Sequence, residues 1–339
     1  MRLILTGAGG FVGSHVLEHF LVNTDAQLVL TDSFRHRGVS ERITEVLDSH
    51  DGSRDRVQVI THDLTSPWSA YGTEQLLADG PIDTIVQVAS ESHVDRSISD
   101  PVPFVRNNVD VALNMLELAR AIRPRLYVHL STDEVYGAVP LGRPAVEWDP
   151  ILPSNPYSAS KAAQEAICIS YWRTYDVPLI LVNAMNLIGE RQHPEKFIPK
   201  VIRAVMNGDA VPIHASSDGT EIGRRCYLHA RNLADAILFI IRELPPRLHK
   251  EDAFPQRFHV VGEEADNLSM AQKIAEFSGK PLRYELVDFH GQRPGHDLAY
   301  LMDGSKLRKM GWKPPVDLWS SLERVVHWTL VHPTWLHAD

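Results

Sequence analysis

Tyr157 and Lys161, four residues apart in the string YSASK, carry the first chemistry legible in this chain. On a helix that begins just after Pro156, this interval places both side chains on one face. There an ammonium can stabilise a tyrosinate and lower the cost of moving a proton to or from an alcohol. Outside a nucleotide-binding setting the same pair would be a surface tyrosine near a lysine. Upstream, the apolar run RLYVHLST ends in Thr132, Asp133 and Glu134. Thr132 can orient a hydroxyl, and adjacent carboxylates can divide acid and base work when their surroundings separate their proton affinities. The plainer alternative is a helix cap followed by a solvated loop.

A second constellation lies at the start of the chain. In GAGGFVG, Gly7, Gly10 and Gly13 recur every third residue, between an apolar strand and an amphipathic segment. Glycine permits a tight turn and close backbone approach, while the amides of a helix N-terminus attract a diphosphate. Asp32 closes the next apolar run, where its carboxylate can accept from both ribose hydroxyls of NAD and would repel the extra phosphate of NADP. Arg35 and Arg37 leave the other reading open, since either could fold over that phosphate or remain in a solvated loop. Asp63, after VQVITH, is a neighbour for the adenine edge or a helix N-cap. Phe11 and Val12 inside the turn, with Leu64 and Ala89 after later strands, complete the expected cofactor-binding set together with Tyr157 and Lys161.

These residues need a scaffold that gathers strand ends. RLILTG, AQLVLTD, VQVI, DTIVQVAS, RLYVHLST and PLILVNA read as buried strands separated by segments long enough for crossover helices. The expected fold is α/β, with a Rossmann-like doubly wound parallel sheet and a smaller mixed α/β C-terminal domain. Ligands of such sheets collect beyond the carboxyl ends of the strands, where the residues above converge. The expected division is 1–182 for the dinucleotide and 183–339 mainly for the substrate. Segments within about 226–262, including the strand-like RFHVVG, are expected to return to the first domain.

Composition excludes several classes. A net charge of −9 with mixed signs lacks the basic footprint of a nucleic-acid binder. No secretory leader or membrane-length apolar run is readable, and the two cysteines, Cys168 and Cys226, fit a reducing compartment, so a cytoplasmic protein is expected. The histidines do not combine with cysteines or carboxylates at metal-ligand spacing, and no metal is expected. His93 in ASESHVD can touch substrate or cofactor or serve as a structural hydrogen-bonding group, and the same alternatives hold for His296.

Taken together, GAGGFVG and YSASK resemble the extended short-chain dehydrogenase/reductase family. ASESHVDRSI, STDEVYG, HPEKFIP and RPGHDLAYLMDGSKLRKMGW narrow the resemblance to nucleotide-sugar 4,6-dehydratases of the dTDP-glucose type. It spans nearly the whole chain and implies bound NAD, a nucleotide-diphosphate sugar substrate and a homodimer paired through helices near Phe104 to Arg120 and Tyr157 to Tyr175. It further implies Tyr157 as base for the 4-hydroxyl, Lys161 as its electrostatic partner, Thr132 as its hydrogen-bonding neighbour, Asp133 as the acid at C6 and Glu134 as the base at C5. Ser92, His93, Asn186, Lys196, Arg225, Asn267 and His296 then fall to the substrate. Departures from the pattern are Asn183 in place of arginine, Ile188 and Glu190 in place of an aromatic–proline pair, Arg231 and Asn232 in place of an acidic pair, and Ala299 in place of arginine. A 4-epimerase, which oxidises C4 and returns hydride to the other face, needs no Asp133–Glu134 pair. A sugar-nucleotide decarboxylase and a noncatalytic dinucleotide-binding protein are weaker alternatives.

Overall fold

A computed structural model describes residues 1–138, 143–216, 218–244, 253–288 and 300–337. Its centre is a sheet of seven parallel strands. In chain order the main-sheet strands begin with β1 (Arg2–Thr6), β2 (Gln27–Asp32), β3 (Val57–Thr61), β4 (Thr84–Gln87), β5 (Leu126–Thr132) and β6 (Leu179–Ala184). A smaller unit follows with β7 (Asn186–Ile188), β8 (Ala210–Ala215) and β9 (Arg224–His229). The chain then returns through β10 (Gln256–Val260) to the main sheet before β11 (Glu263–Asp266) and β12 (Arg283–Asp288). Across the main sheet the order is β10-β6-β5-β4-β1-β2-β3.

The apolar runs are near-continuous because both faces of this sheet are covered, and strand pleating sends alternate residues to opposite sides. Leu3, Leu5, Leu28, Leu30, Ile180 and Val182 enter one core, while Ile4, Val29, Leu179 and Leu181 enter the other. The helices of the first half are α1 (Phe11–Asn23), α2 (Ser40–Asp48), α3 (Ala70–Leu77), α4 (Val94–Ser99), α5 (Pro101–Ile122) and α6 (Pro156–Tyr175). Those of the second half include α7 (Phe197–Asn207), α8 (Ala230–Glu243) and α9 (Asn267–Phe277). α1 and α8 cover the first face, whereas α5 and α6 pack together on the second.

The smaller unit has its own core, with Ile198, Ile202, Ile213, Ile274, Leu322 and Val326 all buried. Around that core lie the sheet β11-β9-β7 and the pair β12-β8. Thus Arg224–His229 belongs to the small sheet, and the return toward the main sheet begins with α8. Cys168 and Cys226 are free and buried. Among the described residues, no helix is long and apolar enough to cross a membrane, and no group of three or more histidine, cysteine or carboxylate side chains could hold a metal.

Candidate active site

The carboxyl ends of β1, β2, β4, β5 and β6 open into one cavity of about 750 Å³, closed on the far side by the smaller unit. Gly7 lies at φ 67°, and a Cβ on Gly13 would sit 2.0 Å from the Gly7 carbonyl oxygen. These contacts draw the turn tightly against the start of α1. That helix begins at the N-cap Gly10, with no capping side chain and no acid in its first turn. The amides around Phe11, Val12 and Gly13 are therefore available to a diphosphate.

Asp32 borders the same cavity. Its Oδ2 accepts from Gly9 N and its Oδ1 from Phe34 N, both at 2.9 Å, leaving further acceptor capacity on each oxygen for a ribose diol. Arg35 instead pairs with Asp63 at 2.6 Å and Arg37 with Glu195 at 2.9 Å, so both arginines already face carboxylates. Asp63 caps no helix: it accepts from Thr65 N and Oγ1, and α3 is capped by Ser69. Leu64 and Ala89 line the same cavity. The uncapped helix start, the crowded glycine turn and a cavity-lining carboxylate with spare acceptor capacity fit a nicotinamide dinucleotide.

Tyr157 and Lys161 stand on one face of α6 and are 8% and 3% exposed. Asn155 fixes the start of this helix through a reciprocal capping box with Ser158, and Pro156 occupies the first turn. Lys161 Nζ donates to the Leu130 carbonyl at 2.8 Å and to Gln164 Oε1 at 2.6 Å. Burial lowers the Lys161 pKa to about 8. Burial, followed by the charge of Glu134, drives the Tyr157 phenol well above its ordinary value, while Thr132 works in the opposite direction. The phenol is therefore protonated in the free protein.

After β5 the chain makes a single 3-10 turn, Asp133–Tyr136. Thr132 Oγ1 donates to Asp133 Oδ1 at 3.0 Å, and Asn155 Nδ2 donates to Glu134 Oε2 at 3.2 Å. Burial raises Asp133 to about 6, against the Thr132 hydrogen bond and Arg225. Burial and the Asp133 charge raise Glu134 to about 7. Two carboxyl groups with proton affinities near neutrality thus face the cavity beside Tyr157.

Ser92, His93, Asn186, Lys196, Arg225 and Asn267 all line this cavity. The Ser92 carbonyl accepts from Lys196 Nζ at 3.1 Å, and His93 Nδ1 caps α4 while Nε2 stands 3.3 Å from Glu195. Arg225 lies 5.2 Å from the Tyr300 ring centroid, and Asn267 Oδ1 accepts from the Tyr227 hydroxyl at 2.7 Å. His296 and Ala299 lie outside the described residues.

The structure gives the remaining departures physical partners. Buried Glu190 accepts from Arg324 Nε at 2.8 Å, and its carboxylate lies 3.1 Å from His229 Nε2 and 3.6 Å from Arg231. Burial alone would raise Glu190, but His229 and the surrounding charges hold it well below the usual carboxylate range. Ile188 is packed in the core of the smaller unit. Asn183 Nδ2 donates to the Thr132 carbonyl at 3.0 Å and to Glu165 Oε1 at 2.8 Å.

Sequence reasoning missed Asn155, although an asparagine just before a helical Pro-Tyr is a readable cap signal. It also missed Asn108. This buried residue clamps Glu91 through its backbone and Ser160 through its hydroxyl, tying the β4 end to α6. No local pattern marked Glu195, which joins Arg37 to the segment before α7.

A family model described as the NAD dependent epimerase/dehydratase family matches residues 3–252. The low-salt glycan biosynthesis protein Agl12 of Haloferax volcanii is 32% identical, covering 97% of this chain and 99% of its own. The dTDP-glucose 4,6-dehydratase of Neisseria meningitidis is also 32% identical, covering 98% and 94%. The crystal structure of DesIV, a dTDP-glucose 4,6-dehydratase from Streptomyces venezuelae with NAD bound, superposes with a TM-score of 0.83 at 29% identity, covering 99% and 98%.

Proposed function

Because the chain belongs to the NAD-dependent epimerase/dehydratase family, and is therefore an enzyme whose cofactor is NAD, we propose that it is a nucleotide-sugar 4,6-dehydratase. The reading rests on Asp133 and Glu134, two carboxyl groups with proton affinities near neutrality that line one cavity with Tyr157. Oxidation and re-reduction at C4, which suffice for a 4-epimerase, need only Tyr157, Thr132 and Lys161 beside the cofactor. The acidic pair supplies what an elimination needs in addition.

Bound NAD supplies a two-electron acceptor that becomes the donor for the final reduction. Gly7, Gly10, Gly13 and the first amides of α1 would hold its diphosphate, and Asp32 its ribose. Tyr157, protonated in the free protein, must first release its phenol proton; as the tyrosinate, stabilised by the positive charge of Lys161 and by the Thr132 hydroxyl, it then takes the proton of the 4-hydroxyl. The resulting 4-keto group acidifies C5–H. Glu134 removes that proton while Asp133 protonates the departing C6 oxygen, so one water leaves. Reprotonation at C5 and reduction at C6 give the 4-keto-6-deoxy sugar.

Asn186, Lys196, Arg225 and Asn267 would meet the nucleotide and its diphosphate, making the 183–339 part mainly a substrate domain. In the free protein burial raises both carboxyl groups toward neutrality and the Asp133 charge raises Glu134 further, so the two titrate as one coupled pair that can share a single proton.

The test is a panel of nucleotide-diphosphate hexoses in heavy water, read by mass spectrometry and NMR. The expected product has lost one water, carries deuterium at C5 and has the original C4 hydrogen at C6. An isomer of unchanged mass that keeps its C5 hydrogen would establish the 4-epimerase instead. Carbon dioxide from a uronic acid would establish the decarboxylase.

A further inference from the structure

The redox pair and the acid–base pair stand on different elements, α6 and the 3-10 turn after β5, and dehydration needs them in register around one sugar ring. A buried network beneath both connects them. Glu165 lies one helical turn beyond Lys161 on α6, and Tyr136 lies two residues beyond Glu134 in the turn. Between them projects Arg257, contributed by β10 at the edge of the sheet. Its Nη2 donates to Glu165 Oε2 at 2.7 Å and its Nη1 to the Tyr136 hydroxyl at 2.9 Å. Exposure is 0% for Glu165, 1% for Arg257 and 3% for Tyr136.

Hydrogen-bond direction is fixed through the rest of the network. His259 Nδ1 lies 3.2 Å from the Asp303 carbonyl, which can only accept, so Nδ1 carries the hydrogen and Nε2 accepts from the Tyr136 hydroxyl at 2.7 Å. Asn183 donates from Nδ2 to both Glu165 and the Thr132 carbonyl. The reversed amide would point its oxygen at two acceptors. Trp148 packs against the guanidinium, with 4.5 Å between the Arg257 Cζ and the ring centroid.

Resting on the dehydratase reading, we propose that Arg257 is a positioning residue: its planar fork sets the distance between the Tyr157–Lys161 helix and the Asp133–Glu134 turn. A buried ion pair contributes little net stability relative to apolar groups of the same shape, whereas a guanidinium fork imposes geometry that an apolar contact does not. Arg257 touches no reacting atom. It acts through Glu165 on one side and Tyr136 on the other.

The selective probe is Tyr136→Phe, which keeps the ring and removes the oxygen that joins Arg257 to the turn. Two reactions separate the halves of the chemistry. A nucleotide-diphosphate 6-deoxyhexose can be oxidised at C4 but has no 6-hydroxyl to lose, and its oxidation is read as NADH absorbance. C5 exchange and water loss are read on the full hexose. The expected result is C4 oxidation within about twofold of the unaltered enzyme, with C5 exchange and dehydration slowed at least about tenfold and substrate affinity unchanged.

His259→Asn, which disturbs the acceptor on the other side of the same phenol, should produce the same selective loss, and it decides the matter if the phenylalanine variant does not fold. Equal slowing of both reactions, or undiminished C5 exchange, overturns the inference. If the unaltered enzyme oxidises C4 without exchanging C5 hydrogen, the dehydratase reading falls and the positioning role with it.

Discussion

Asn155 caps the helix that carries Tyr157 and at the same time holds Glu134: Oδ1 accepts from Ser158 N at 2.9 Å while Nδ2 donates to Glu134 Oε2 at 3.2 Å. One side chain therefore orders the redox helix and favours the ionised form of the proposed C5 base. This predicts the effect of Asn155→Ser, which preserves a good cap but not the amide donor. The unaltered enzyme should dehydrate best between about pH 6 and 7, where the Asp133–Glu134 pair carries one proton. Removing a hydrogen bond to the charged form raises the Glu134 affinity further. The alkaline limb should then move up by about one pH unit and the maximum fall by roughly tenfold. A pH–rate profile of C5 exchange checks both, and an unmoved limb at full rate refutes the assignment.

Stability should respond to the same carboxyl group in a defined pH window. Glu134 is raised from 4.5 to about 7 in the folded protein, chiefly by burial. As pH rises from 4.5 to 7 the unfolded chain releases this proton while the folded protein retains it, so stability declines and the full penalty is present above 7. Glu134→Gln is neutral throughout. Its Tm should equal that of the unaltered protein near pH 4.5 and exceed it at pH 8. A penalty on the order of 3 kcal/mol corresponds to roughly 4 °C for a chain of 339 residues. Calorimetry at the two pH values reads the difference, and equal Tm values at pH 8 would show that burial imposes no such penalty.

Cofactor choice should depend on the charge of Asp32. Asp32→Asn retains an acceptor for the turn amides and loses the charge that repels a ribose phosphate. The unaltered protein should bind NAD far more tightly than NADP, and the variant should narrow that ratio by roughly tenfold or more. Calorimetric titrations at matched ionic strength measure it; equal affinities before mutation would remove Asp32 from this role.

A homodimer paired through α5 and α6 is a further expectation. The two helices pack together and leave Val102 59% and Tyr175 42% exposed. Sedimentation at micromolar concentration should give twice the 38.1 kDa chain mass. Val102→Glu with Tyr175→Glu should weaken the pair. A fully active monomer would dismiss it.

By itself the sequence determined what is carried by one element or one strand end. The crowded turn of Gly7 and Gly13, the carboxylate at the end of β2, the shared helical face of Tyr157 and Lys161, and the Thr132–Glu134 run after β5 all follow from local periodicity and strand termination. Strands buried on both faces required a parallel, helix-covered sheet, and such a sheet gathers those ends. Contacts between distant segments could not be read in this way. Whether Asp63 caps a helix or meets Arg35 depends on where the loop after β2 lies. The Glu190–Arg231 and Arg37–Glu195 pairs join segments that only packing brings together. Arg257 reaches Glu165 because β10 pairs with β6 in the register that sets His259 opposite Asn183. The tertiary structure decided that register, since a buried charge is tolerated only where the fold supplies an opposite charge and hydrogen-bond partners, and those partners here lie on other elements far away in the chain.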